Sequence, residues 1–412
     1  MRSVATGAKP INSLAVQGLA LAVVFAASVW IALANSALGD YPQDAGPALD
    51  ALLRWDLSGF LSTHPDMGVV SLLVRWPFAA LGGDELSVYQ WGSVPCVLAA
   101  GLLGLYLARL AGRRGSGSGT QVVLVTLCLV NPLTFSALQY GHPEEILTAA
   151  LAVGAVAVAS QGHSGRATLL LGLAIASKQW AVIAALPVLM ALPSRRVSAG
   201  AGAAAIALGL TLPTFIADPG SFLETQRSLA VESQYVGPWN AWFPLTDPTV
   251  HEVPGISGSV ETYYASSFVA RFSHPLIILL ALALPAALAL RRRATRLSGS
   301  DAMALLALLA LVRCVLDPVD NIYYHEPFLL ALIGCDALSR PGLPLRGLAG
   351  AAAFELLLRL EPPYVEVHLF NLVYLALAAV AAFGLGTALL QVRTDVRSVM
   401  RRAAYRLLPV QG

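Results

Sequence analysis

Asp40 and Asp44 stand four residues apart in "ALGDYPQDAG", just after the first long apolar run of the chain. His142, Glu144 and Glu145 crowd into "GHPEE" between two apolar stretches, and Lys178 and Gln179 interrupt another in "ASKQW". Arg271 precedes a further apolar run, and "DPVDNIYYHEPF" carries Asp317, Asp320, Tyr323, Tyr324, His325 and Glu326. A carboxylate can take the proton from an attacking hydroxyl. Cations and phenols can hold an anion as charge develops on it. The set therefore suits a substrate that carries both a phosphate and hydroxyls.

Each residue also has a plainer reading. A loop acid is commonly a solvated surface group. Glu144 and Glu145 favour a helix N-terminus through the macrodipole, with Pro143 in the first turn. That account leaves His142 unexplained. Lys178 lies too deep in an apolar stretch to reach water easily, so it needs a carboxylate or phosphate partner.

Composition sets the elements that must position these groups. Of 412 residues, 12% are charged and 57% hydrophobic, with a mean hydropathy of +0.68. Soluble domains carry roughly 25% charged residues, so this chain cannot cover a water-facing surface. It reads as an all-α, polytopic membrane protein, a single integral membrane domain over 1–412. A crossing helix needs about 20 apolar residues. Spans fall near 13–35, 86–110, 120–138, 145–160, 167–179, 180–193, 197–217, 274–290, 300–316, 327–339, 347–360 and 367–391, a bundle of 10–13 helices. Those at 167–179, 180–193 and 327–339 are short, as tilted, broken or re-entrant helices are.

Arginines fix the expected orientation. Arg113, Arg114, Arg166, Arg195, Arg196, the run from Arg291 to Arg296, Arg340, Arg346 and the basic tail 392–412 share one side. That side is cytoplasmic, with both termini. Most of the 24 acidic residues fall on the other, with Arg54, Arg75, Arg227 and Arg271, and with Arg313 and Arg359 in spans near it. The net charge of +2 is the sum of two opposed layers and gives no ground for nucleic-acid binding. The first span has no A-x-A-like site close behind it and reads as a retained helix, not a cleaved signal. Cys96, Cys128, Cys314 and Cys335 all fall in spans, without disulfide or zinc spacing.

Two extracytoplasmic segments stand out. Segment 36–85 must return to the face it left, yet it holds amphipathic stretches. Two helices in the interface plane fit it, with Trp55 and Trp76 at headgroup depth. Segment 218–273 is long and aromatic, and Trp239, Trp242, Tyr263 and Tyr264 make it a lid or wall.

An aspartate just after the first span, interfacial helices in the first outer loop, and "GHPEE" followed by "G-x-A-x-x-x-K-Q-W" give a recognisable layout. With these features the chain resembles GT-C-type membrane glycosyltransferases, in particular the bacterial polyprenyl-phosphate-mannose-dependent mannosyltransferases of glycosyltransferase family 87. The resemblance implies inverting transfer of a sugar, most commonly mannose, from a polyprenyl phosphate to a cell-envelope glycolipid or glycan at the extracytoplasmic face. It implies a first-loop aspartate as general base, Asp40 by position, with Asp44 as its competitor. His142, Lys178, Gln179, Arg271, Tyr324 and His325 would line the donor phosphate and sugar, with Glu326 beside them. Glu144 and Glu145 would bind sugar hydroxyls or orient His142. The first loop lacks a D-x-D triplet, so no metal or other cofactor is expected.

Two other classes compete. A transporter or lipid flippase also uses broken helices and intramembrane charge, but no repeat relates the halves here and the polar groups gather at one face. A scaffold binding a partner through its outer loops would scatter its acids instead.

Overall fold

The computed structural model describes residues 14–65, 67–227, 236–246, 248–252, 259–292, 296–362 and 364–390. The start of the first expected span, parts of segment 218–273 and the basic tail 392–412 lie outside the described residues.

Among the described residues, eight helices are long and apolar enough to cross a membrane. They are α1 (Leu14–Leu33), α5 (Glu85–Arg113), α6 with α7 (Ser118–Gln139), α8 (Pro143–Ser160), α11 (Arg196–Ala217), α13 (Ser267–Arg292), α14 (Gly299–Leu316) and α17 (Val367–Leu390). The remaining four expected spans hold shorter helices: α9 (Ser164–Ser177), α10 (Ala185–Ala191) behind a 3-10 turn at Gln179–Ala184, α15 (Glu326–Ala337) and α16 (Leu345–Leu360). Among the described residues the regular structure is helical, as the composition requires, except for one antiparallel hairpin. Its strands β1 (Pro248–Glu252) and β2 (Ser259–Tyr263) pair Thr249 with Thr262. This hairpin in the long loop was not expected, because polar five-residue strands give no hydropathy signal.

Helix α8 is the axis of the bundle. From Ala149 to Ala159 its sequence is Ala, Gly and Val except for Leu151, and 89% of its apolar window is buried. Small side chains let neighbouring backbones approach closely in a bilayer. Helices α5, α9, α14 and α15 pack around it. By contrast α1, α11, α13 and α17 are mostly exposed along their apolar faces, the pattern of a rim meeting lipid.

Segment 36–85 was expected to hold two helices and holds three: α2 (Ala45–Leu53), α3 (Leu57–Ser62) and α4 (Val69–Ala79). Trp55 and Trp76 meet edge to face at 4.9 Å. Helix α4 packs on α5 and α9, and Arg75, on it, is fully buried. One arginine in an otherwise apolar run explains the difference: its charge needs a buried acid, so the helix docks inward.

Two glycines bring the first loop onto the α7–α8 turn. Gly39 (φ 52°) and Gly141 (φ 90°) both adopt left-handed backbone, which glycine alone enters freely. A Cβ on Gly39 would overlap the Tyr140 carbonyl, and one on Gly141 would meet the Leu38 carbonyl and the Asp40 amide. The Asp40 amide donates to Tyr140 O at 3.0 Å. Asn35 Nδ2 donates to Leu138 O at 3.3 Å. Gly141→Ala is accordingly expected to cost about 1–3 kcal/mol, read as a lowered thermal midpoint in detergent. Gly83→Ala, where a Cβ meets open space, is the control and should leave the midpoint unmoved.

Candidate active site

Glu144 lies in the first turn of α8 and is fully buried. Three cations reach it, one from the cap of its own helix and two from distant parts of the chain. His142 Nδ1 is 3.0 Å from Oε1, Lys178 Nζ is 3.4 Å from Oε1, and Arg75 Nη1 donates to Oε2 at 3.4 Å. Glu145 shares Lys178 at 3.5 Å and accepts from Trp180 Nε1 at 2.8 Å. Removing a partner from a buried charged network of this kind costs about 3–5 kcal/mol. The guanidinium of Arg75 also lies over the rings of Tyr41 and Tyr89, at 5.6 and 6.0 Å.

Local structure explains why Lys178 arrives here. Helix α9 has 14 residues, about 21 Å of rise against a hydrocarbon core of about 30 Å. It stops short, and Lys178 takes an extended conformation (φ −149°, ψ 134°). The chain end is fixed by Gly68 N donating to Ser177 O at 2.8 Å and by Thr148 Oγ1 donating to Ser177 Oγ at 2.9 Å. The recess left by this turn carries the ammonium group.

His142 links the buried network to solvent. Its Nε2 is 3.2 Å from Asp40 Oδ2, its Nδ1 is 3.8 Å from Asp44 Oδ2, and its ring stacks on Tyr323 at 4.9 Å and 19°. The side chain of Asp40 is 66% exposed and that of Asp44 only 11%. The hydrogen bond from His142 holds the Asp40 carboxyl below its ordinary range, against a smaller upward pull from partial burial. Burial would push the His142 imidazole down, yet its bonds to Asp40 and Glu144 hold it up at about 9. At neutral pH the pair is a carboxylate and an imidazolium. Asp40, Asp44, His142, His64, Tyr323 and Tyr324 line a polar cavity of about 460 Å³.

A second network borders that cavity. Asp320 lines it and stands 3.6 Å from His325 Nε2. Burial pushes the Asp320 carboxyl well above its ordinary range. His325 Nδ1 pairs with Ile322 O at 3.0 Å and Nε2 with the Tyr374 hydroxyl at 2.9 Å. His325 and Tyr374 head another cavity, of about 420 Å³, whose walls are the apolar faces of α15, α16 and α17, with Arg346 at its far end. Leu377 and Val380 on its rim are exposed. The segment 236–246 closes the head of this groove. Trp239 is buried against Phe370 and Tyr374, and Trp242 Nε1 donates to Leu316 O at 2.7 Å.

Of the residues singled out in the sequence, Asp40, Asp44, His142, Glu144, Glu145, Lys178 and Tyr324 come together at the polar cavity and the network beneath it. His325 faces the apolar groove. Glu326 is buried and accepts from Asn131 Nδ2 at 3.1 Å and Thr134 Oγ1 at 3.2 Å, a bond set that ties α15 to α7. Gln179 pairs with Gln226 away from the polar cavity. Arg271 is exposed on α13, outside the lining of either cavity. Arg75 and Arg313 were passed over. Arg313 is buried, its guanidinium over Trp180 and Tyr324 at 5.2 and 4.7 Å, and its Nη1 has no hydrogen-bond partner among the described residues. Each sits in an apolar helix, the signal that had marked Lys178.

Metal-ligating atoms of Asp44, His142 and Glu144 lie within 4.8 Å of one another, as do those of Cys314, Asp320 and His325. In the first group Lys178 and Arg75 already supply Glu144 with the positive charge a cation would bring.

Residues 68–318, more than half of the chain, match the sequence profile of glycosyltransferase family 87. The crystal structure of ArnT from Cupriavidus metallidurans bound to undecaprenyl phosphate is similar in fold, with a TM-score of 0.50 at 17% identity. The similarity covers 91% of this chain and 71% of that one. No curated protein sequence matches.

The Asp40–His142 pair makes stability depend on pH. A raised imidazole stabilises fully below its ordinary 6.5, and the contribution is lost as pH rises through about 9. The lowered Asp40 carboxyl contributes above the ordinary carboxylate range and loses it as pH falls through its folded value. The thermal midpoint should therefore be highest between about pH 5 and 6.5 and decline toward the alkaline side. In His142→Gln that alkaline decline should flatten, and an unchanged slope would count against the assignment.

Proposed function

The chain belongs to glycosyltransferase family 87, and from that premise we propose that it moves a sugar from a polyprenyl phosphate to a hydroxyl of a cell-envelope glycolipid or glycan, with inversion at the transferred carbon. The observation that carries this reading is the meeting of Asp40 with His142 at a polar cavity backed by Glu144 and Lys178. Beside that cavity runs an apolar groove open to lipid.

Asp40 is the general base. It is ionised, its carboxylate is exposed to the cavity, and His142 fixes its direction. Asp44 is nearly buried and serves to hold the imidazolium. In the reaction the acceptor oxygen forms a bond to the anomeric carbon while the bond from that carbon to the phosphate oxygen breaks. The hydroxyl proton passes to Asp40, and the electron pair leaves with the lipid phosphate. Lys178, Arg313 and the Tyr324 phenol, whose ring lies under the Arg313 guanidinium, are the groups suited to the departing charge. His142 acts on Asp40, because both its ring nitrogens already face carboxylates.

The apolar groove suits the prenyl chain. Ligand pockets commonly span about 300–1,000 Å³, and a groove of about 420 Å³ takes only the first part of a long chain, leaving the rest in the bilayer. Mannose is the sugar the family resemblance favours. The site lies on the extracytoplasmic side, since Arg113, Arg166, Arg195 and Arg346 mark the opposite ends of the helices that carry it.

Transfer from polyprenyl-phosphate mannose, followed with enzyme in liposomes, tests the reading. Asp40→Asn should lose about 10²–10⁴-fold, the range of general-base catalysis, and Asp44→Asn distinctly less. Full activity in both variants would end it. Filling the groove with Ala378→Trp should raise the donor KM at least tenfold and leave the acceptor dependence unchanged. An unmoved donor KM would refute the groove as the chain's seat.

A further inference from the structure

His64 lies in the short connection between α3 and α4 with φ of 43°, in the left-handed region. Non-glycine residues seldom adopt it, and such strain gathers at functional positions. Both of its ring nitrogens are buried and without a hydrogen-bond partner among the described residues. Buried polar atoms are nearly always paired, so an imidazole with both nitrogens unpaired among the described residues calls for a polar ligand.

Its place in the molecule says which ligand. His64 lines the polar cavity together with Asp40, Asp44 and His142. It also lines a separate pocket of about 70 Å³, whose polar residues are Gln179, Thr211, Thr214 and Gln226. The ring of Phe222 on α12 (Pro219–Arg227) meets it edge-on at 6.1 Å. The lipid groove headed by His325 borders the polar cavity through Asp320, a different wall. An inverting displacement needs the incoming hydroxyl and the leaving phosphate on different sides of the reacting carbon. The wall formed by His64 is thus the one left for the acceptor.

We propose that His64 binds a hydroxyl of the acceptor's sugar or glycan headgroup, which approaches Asp40 past the α3–α4 connection and α12. This rests on the transferase reading above. One ring nitrogen donates to the acceptor and the other accepts from it, while the transferred proton goes to Asp40. Gln179 and Gln226 border the same route and offer further amide contacts.

Purified enzyme, saturating polyprenyl-phosphate mannose and enzyme-free membranes of the source cell, titrated as acceptor, provide the test. In His64→Ala the amount of membrane giving half-maximal transfer should rise at least tenfold, while the donor KM stays within twofold. His64→Asn keeps a donor and an acceptor and tolerates the backbone conformation, so it should recover most of the loss. An unmoved acceptor curve, a parallel rise in donor KM, or an asparagine variant as weak as the alanine one would overturn the proposal. If the unsubstituted enzyme transfers nothing, the transferase reading itself fails.

Discussion

A buried carboxylate, Glu144, is the point on which the rest of the site depends. Left alone in a bundle of this hydropathy, its charge would cost several kcal/mol. It is held instead by Arg75 from the first loop, His142 from its own helix cap and Lys178 from the broken end of α9. Each partner is itself too costly to bury unpaired. The cluster therefore docks three separated parts of the chain against one another and leaves them little freedom to rearrange. Arg75 Nε and Nη2 have no hydrogen-bond partner among the described residues, so its guanidinium is held by Glu144 and by the rings of Tyr41 and Tyr89.

That rigidity is put to use two residues away. His142 is clamped between Glu144 and Asp40 and flat against Tyr323, so the exposed carboxylate points from a fixed base into the cavity. The bundle also separates two solvents. Polar groups face a cavity at the loop ends, while α15, α16 and α17 leave an apolar groove alongside, with Asp320 and His325 forming the boundary. A substrate that is phosphate at one end and hydrocarbon at the other meets both environments at once.

The helical spans were legible because hydropathy is a local quantity, and a run of about 20 apolar residues leaves few alternatives. Lys178 and "GHPEE" were legible for the converse reason: a charge in such a run demands an explanation. Arg75 was equally visible in "VVSLLVRWPFA" and was read as interfacial, since nothing local says whether an arginine snorkels or finds a buried acid. His325 and Glu326 looked like members of the same site as His142. The 3-10 segment sends them to the groove and to the α7 contact instead.

The sequence by itself determined that the chain crosses a membrane many times and that its costly charges gather at one face, because both follow from transfer free energies summed along short windows. Only the tertiary structure decided which charges pair and which aspartate is open to the cavity. It also separated the histidine beside the reacting groups from the one heading the groove. Those outcomes turn on distances of a few ångströms between residues up to a hundred or more positions apart, and pairing energy at that range is set by packing, not by spacing in the chain.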